Sequence, residues 1–161
     1  MEPVKFAVLG LNQGAKIVRD ALKHEEVELV AVAGFGQQAE SFASELGLKR
    51  YEDYRLLLRQ EQLDAVAIAL PNGLHVEAVE EALTANIKHI LLEKPIANTV
   101  EEAQHIIDIL RKRELPCSSD TIVAIRLAIF SYVILLLRDV WGRLLVYRAA
   151  SLSQNPVRIL T

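Results

Sequence analysis

Apolar positions along residues 4–113 alternate between two spacings, and the alternation predicts a series of strands and helices. Val4–Leu9 is a short apolar run that stops at Gly10, the pattern of a buried strand. Ile17, Val18, Ala21 and Leu22 then share one side of a 3.6-residue period while Lys16, Arg19, Asp20 and Lys23 fall elsewhere, which predicts an amphipathic helix. Val27–Ala33 repeats the strand pattern and closes in Gly34-Phe35-Gly36, and 39–46 reads as a helix ended by Gly47. A short strand over 49–51 and a helix over 53–59 follow. The run 63–70 (LDAVAIAL) is almost continuously apolar, as in a strand covered on both faces. Residues 74–85 form a helix with Val76, Val79, Ala82 and Leu83 as its stripe, His89–Leu92 a strand, and 99–113 a helix. For that last helix Asn98 is the expected cap, with Glu101 three residues on as its reciprocal partner.

Strands that alternate with helices, joined by connections too long for hairpins, pair in parallel through right-handed crossovers. The fold class expected is therefore α/β, a doubly wound parallel sheet of Rossmann type. Such sheets take ligands beyond the carboxyl ends of their strands, where the strand order reverses. Loops 10–14, 34–36, 70–75 and 93–95 all leave strand ends, so they should converge on one crevice. After Glu114 the rhythm changes: a turn-rich joint at 115–119 leads into a long apolar helix expected over 121–140, and 144–150 (LLVYRAA) is a strand candidate. Residues 1–120 accordingly read as one domain, with an apolar helix and a strand following over 121–161.

A chain of 161 residues, 52% hydrophobic and 24% charged, folds around a core, which excludes a disordered tail or a collagen-like repeat. The single cysteine, Cys117, rules out an internal disulfide and a cysteine-rich zinc site, and no histidines stand at metal-ligand spacing, so no metal centre is expected. With no signal-peptide pattern ahead of the first apolar run, this points to the cytoplasm. A net charge of −3, with 18 Lys and Arg spread along the chain, gives no footprint for a nucleic-acid backbone. The apolar run 127–137 would span about 17 Å as a helix, against roughly 30 Å of bilayer core, so it is expected to be buried or to face a partner rather than to cross a membrane.

A glycine turn between a strand and a helix presents unpaired amides and the positive end of the helix dipole to an anion. Gly10, Leu11, Asn12, Gln13, Gly14 and Ala15 form such a turn. Against the dinucleotide pattern G-x-G-x-x-G/A, Gly10 and Ala15 match and Asn12 replaces the middle glycine. The plain reading, a strand-to-helix turn without a ligand, stands beside it. The second element of that pattern is an acid at the end of the second strand that binds the adenosine ribose. Gly34 occupies the place, Glu40 is the next acid, and no Arg or Lys is expected nearby to favour a 2′-phosphate, so NAD and NADP are not distinguished.

The segments ALPNGLHVEAVEEAL and HILLEKPIANTVEEA resemble the nucleotide-binding domain of the Gfo/Idh/MocA oxidoreductases, named for glucose-fructose oxidoreductase and inositol dehydrogenase. The resemblance covers residues 4–113 and runs more faintly to 150. It implies a nicotinamide dinucleotide, NAD or NADP, as cofactor and partner. It also implies that the segment after Leu70 (Pro71, Asn72, His75) lines the nicotinamide side, and that Glu93, Lys94 and Pro95 bring the lysine near the transferred hydride. Lys94 is then the catalytic candidate, an ammonium that stabilises charge or relays a proton on a sugar-like or polyol substrate. Without the resemblance Lys94 reads as a surface lysine and His75 as a helix-start packing residue. Members of that family continue into a second α/β domain that walls the substrate, whereas this sequence ends soon after what looks like its first helix and strand. The alternative reading is a non-enzymatic nucleotide-fold module that acts through association. Under either, the apolar helix and the strand at 144–150 suggest a homodimer or larger homo-oligomer.

Overall fold

The computed structural model describes residues 2–87 and 89–113 together with three further strands at 122–125, 134–138 and 144–148. Six strands, β1 (Val4–Leu9), β2 (Val27–Ala33), β3 (Arg50–Tyr51), β4 (Ala65–Ile68), β5 (His89–Leu92) and β6 (Ile122–Ile125), form one sheet in the order β3-β2-β1-β4-β5-β6. Every pairing in it is parallel. The crossovers carry helices α1 (Gly14–Ala21), α2 (Gly36–Glu45), α3 (Tyr54–Gln60), α4 (His75–Thr84) and α5 (Val100–Arg113).

The two-residue period of the strands sorts their side chains between two cores. Ala7, Leu9, Ala31, Ala33, Val66, Ile68, Ile90 and Leu92 face Tyr54, Leu57 and Leu58 of α3, Ala78, Val79, Ala82 and Leu83 of α4, and Ile106 of α5. Val8, Val32, Ala67 and Leu91 face the other way, onto Val18 of α1 and Ala43 of α2. Both faces of the sheet are thus covered, which is why its strands read as nearly unbroken apolar runs. Full burial of one Leu or Ile here contributes roughly 1.5–3 kcal/mol.

The helix starts follow local chemistry. Asp53 caps α3 by accepting from the Arg55 N–H at 2.8 Å. The cap of α5 sits one residue later than expected: Thr99 Oγ1 accepts from the Glu102 N–H at 3.1 Å, and Glu102 Oε2 accepts from the Asn98 N–H at 3.0 Å. Thr99 and Glu102 thus take the places expected of Asn98 and Glu101, in a variant of the capping box whose return bond reaches Asn98 N–H, one residue ahead of the cap.

The long apolar helix expected over 121–140 is not formed. Two strands stand there, β6 and β7 (Ile134–Arg138), and β7 pairs antiparallel with β8 (Leu144–Arg148), within the strand expected over 144–150. An apolar run alone does not distinguish a buried helix from a buried strand. The β-branched Ile122, Val123 and Ile125 favour the extended form. The free edge of β5 supplies the ladder, from His89↔Ile122 to Leu92↔Ile125. The joint at 115–119 and the tail from Gln154 lie outside the described residues. Among the described residues no helix is long and apolar enough to cross a membrane.

Candidate functional site

The order of the strands reverses between β1 and β4, the place at the carboxyl edge where doubly wound sheets take their ligands. Backbone pairing continues one residue past each strand. The Gly10 N–H donates to Ala33 O at 2.8 Å, the Ala69 N–H to Leu9 O at 2.7 Å and the Glu93 N–H to Ile68 O at 2.9 Å. The loops therefore leave the sheet side by side.

Gly10 has φ +91°, and a Cβ there would collide with the carbonyl group of Ala69, so the end of β1 presses directly on the end of β4. Gly14, the first residue of α1, is buried, and a Cβ there would stand 2.7 Å from Val8 Cγ1 and 3.3 Å from Ala69 Cβ. The helix start is thus held against the sheet. Asn12 and Gln13 are exposed on the turn between them. Gln13, at the cap position of α1, makes no side-chain capping bond. Among the described residues no carbonyl accepts from the backbone N–H groups of Asn12, Gln13 or Gly14. These donors meet solvent or an anion at the positive end of the helix.

The exit of β2 lies against the same turn. A Cβ on Gly34 would come within 2.8 Å of Leu11 Cδ1 and 2.9 Å of Ala39 Cβ. The next residue, Phe35, is 86% exposed. Beneath it β3 contributes a residue that a local reading of the sequence misses: Arg50 Nη1 donates to Gly34 O at 3.0 Å, while Nη2 meets Glu40 Oε2 at 2.7 Å and Glu52 Oε1 at 3.5 Å. The expectation that no cation stands near the end of β2 is therefore corrected. Arg50 is sixteen residues from Gly34 in sequence and reaches it because β3 lies beside β2.

On the other side of the crevice Leu70 and Asn72 are partly buried and Pro71 is exposed, and a short 3-10 turn at Asn72–Leu74 leads into α4. His75 is fully buried. Its Nε2 lies 2.9 Å from Leu70 O and its Nδ1 3.2 Å from Ile96 O, so one ring spans the loops after β4 and β5. A neutral imidazole carries a single N–H, so the ring donates to one of these carbonyls and only touches the other. Glu93 is buried at the end of β5, and its Oε2 accepts from the Lys94 N–H at 3.3 Å. Lys94 itself is exposed, joined to Pro95 by a cis peptide bond.

A continuous chain of contacts thus runs from Gly34 through Leu11 and Gly10 to Ala69 and Leu70, then through His75 to the loop that carries Lys94. The arrangement offers unpaired amides for a phosphate on one side and a primary amine open to solvent on the other. No group of three or more metal-ligating side chains gathers among the described residues.

Comparison with known proteins gives the same picture. Residues 4–121 match a family model described as "Oxidoreductase family, NAD-binding Rossmann fold", the model of the Gfo/Idh/MocA proteins. A dTDP-3,4-didehydro-2,6-dideoxy-alpha-D-glucose 3-reductase of Saccharopolyspora spinosa is 33% identical over 117 residues, covering 71% of this chain and 35% of that protein. A D-xylose 1-dehydrogenase (NADP(+)) of Haloferax volcanii is 38% identical over 106 residues, covering 64% of this chain and 32% of that protein. The crystal structure of myo-inositol 2-dehydrogenase from Lactobacillus plantarum superposes with a TM-score of 0.64 at 27% identity, covering 69% of this chain and 34% of that one. This chain therefore spans about a third of the length of the relatives it matches.

Proposed function

The chain belongs to the Gfo/Idh/MocA oxidoreductase family, and on that premise we propose that it binds a nicotinamide dinucleotide across the carboxyl edge of its sheet and serves hydride transfer on a sugar-like or polyol substrate. The observation that carries this reading is the turn at the switch point: Gly10 and Gly14 let it pack directly on the ends of β1 and β4, and the N–H groups of Asn12, Gln13 and Gly14 have no carbonyl partner among the described residues. The residues present fit the cofactor. The amides of Asn12, Gln13 and Gly14 would hold its pyrophosphate, Gly34 the adenosine ribose, and Leu70, Pro71 and Asn72 the nicotinamide side. Asn12, in place of the middle glycine, is exposed on the turn.

When bound, the nicotinamide ring supplies a two-electron hydride donor or acceptor. Lys94 handles the proton at the substrate oxygen. As a neutral amine its Nζ takes the hydroxyl proton during oxidation, and as an ammonium it gives a proton to the carbonyl oxygen during reduction. Glu93 and His75 are positioning residues: the first closes the backbone at Lys94, the second ties that loop to the loop after β4.

Titration of the 161-residue chain with NADH and NADPH, followed by nucleotide fluorescence, tests the reading. Binding in the micromolar range is expected, and no response at millimolar dinucleotide would overturn it. The same reading includes a cytoplasmic homodimer or larger homo-oligomer, supported by the two-stranded β7–β8 sheet, whose outer edges suit a further strand. Light scattering at the monomer mass of 18.0 kDa would contradict the oligomer. The non-enzymatic alternative drew its motive from Asn12, Gly34 and the second domain that the sequence does not cover, alongside the long apolar helix; strands β6 and β7 stand in place of that helix, and the sugar reductase and dehydrogenase relatives favour the enzyme.

A further inference from the structure

Resting on the dinucleotide site proposed above, we infer that Arg50 selects the 2′-phosphorylated cofactor, so that this chain prefers NADP(H) to NAD(H). In doubly wound sheets the adenosine ribose lies at the exit of β2, where a carboxylate accepts from the free 2′-hydroxyl and an arginine accommodates a 2′-phosphate. Here the exit residue is Gly34, which has no side chain to accept from a diol, and the guanidinium of Arg50 is anchored 3.0 Å from its carbonyl oxygen. The Arg50 side chain is only 16% exposed, so its planar fork is held in place before any ligand arrives.

Two carboxylates already face that fork. Glu40 and Glu52 are 67% and 62% exposed, and Glu52 stands at the long distance of 3.5 Å. Both carboxylates are open to water, so each can leave the partly buried guanidinium for solvent when a stronger anion competes for it. A phosphate dianion pairs bidentately with an arginine and outcompetes a single carboxylate oxygen. Glu40 and Glu52 thus hold Arg50 while the site is empty of phosphate and swing into solvent when it is filled. Leu11 packs against Gly34, which places this cation next to the glycine turn rather than at a remote surface.

The test measures the affinities of the full chain for NADPH and NADH, and displacement of NADPH by adenosine 2′,5′-bisphosphate against AMP. NADPH should bind at least about tenfold more tightly at low salt, the worth of one charge-assisted bidentate contact, and the bisphosphate should displace it better than AMP. R50A should remove the preference by weakening NADPH about tenfold, with NADH changed less than about threefold, and NADH binding then reports that the variant is folded. R50K should fall between. E40Q, which frees the guanidinium of one competitor, should tighten NADPH and leave NADH alone. Equal or tighter binding of NADH by the unmodified chain overturns the inference, as does an R50A variant that weakens both dinucleotides alike. If neither dinucleotide binds, it is the underlying reading of the crevice that fails.

Discussion

The imidazole of His75 and the carbonyl of Ile96, 3.2 Å apart and 21 residues apart in sequence, tie the loop after β5 to the start of α4. The other ring nitrogen of His75 faces Leu70 O at 2.9 Å, so the ring is a strut between the two loops. His75→Ala removes the ring's N–H from one of these carbonyls and its contact with the other, and opens a cavity at a fully buried position. The expected cost is about 2–4 kcal/mol in denaturant unfolding, together with weaker dinucleotide binding. A variant within about 0.5 kcal/mol of the parent, the usual range for surface substitutions, would show that the strut carries no load.

Gly10 and Gly36 separate two costs of replacing a glycine. Both have positive φ, +91° and +83°, but a Cβ at Gly10 runs into the Ala69 carbonyl whereas at Gly36 nothing lies within 4 Å. Gly36→Ala should cost about 1–2 kcal/mol, from backbone strain alone. Gly10→Ala adds the collision and forces β1 and β4 apart at the switch point, so it should cost about 3 kcal/mol or more and abolish dinucleotide binding. Chemical denaturation of the two variants side by side reads the difference, and equal losses would mean that the close approach contributes nothing.

Most of the sheet was legible because its strands are short, apolar and separated by amphipathic helices, and because the strand-end glycines mark the turns. The two-residue period that sorts Val8 from Leu9 and Ala67 from Ile68 onto opposite cores follows directly from such runs. Three things were not legible. The capping box moved from Asn98 to Thr99 because either residue can cap, and only the position of Glu102 decides. The apolar stretch around Ile122 reads as a helix until the open edge of β5 is there to pair with it. Arg50 stayed hidden because it reaches Gly34 only once the two-residue strand β3 is laid beside β2, a non-local pairing with no local signal. For His75 the motif drew attention to the residue and the helix-start packing reading stood beside the cofactor contact; the ring lies against the carbonyls of Leu70 and Ile96, contacts that the sequence did not announce.

Lys94 should affect turnover far more than binding. Its side chain is exposed at the end of β5 and none of the core depends on it. Lys94→Ala is therefore expected to leave the unfolding midpoint and the dinucleotide affinity nearly unchanged, while kcat on a responsive polyol or aldose falls by about 10²-fold or more, the usual contribution of a general acid or base. Lys94→Arg, which keeps the charge but does not release a proton near neutral pH, should be almost as impaired. Steady-state kinetics with each variant, beside direct binding of NADH, separates the two effects. A kcat within about threefold of the parent, too small for a lost proton relay, would remove Lys94 from the chemistry.

Acid should weaken the fold through Glu61. Its carboxylate, 13% exposed, accepts from Lys49 Nζ at 2.6 Å and also from the Tyr51 hydroxyl, which binds α3 to the end of β3. The bond from Lys49 is the main cause that holds the carboxyl below its ordinary value of 4.5, with the Tyr51 bond second. A carboxyl depressed in the folded state adds stability that is fully present above its unfolded value and is lost as pH falls through the folded one. The contribution is therefore intact at neutral pH and disappears only below about pH 4.5. At the alkaline end the same pair holds Lys49 above its ordinary 10.5, so its share is kept until the pH rises past that value. Glu61→Gln should lower the melting temperature at pH 7 by about 1–3 °C, a small effect because Lys49 is largely exposed and screened by solvent. On acidification the two melting curves should converge below pH 4.5, where the parent loses what the variant never had. Thermal scans of both proteins from pH 3 to pH 8 would decide the matter: a gap that persists at the acid end would place the effect of Glu61 in packing rather than in its charge.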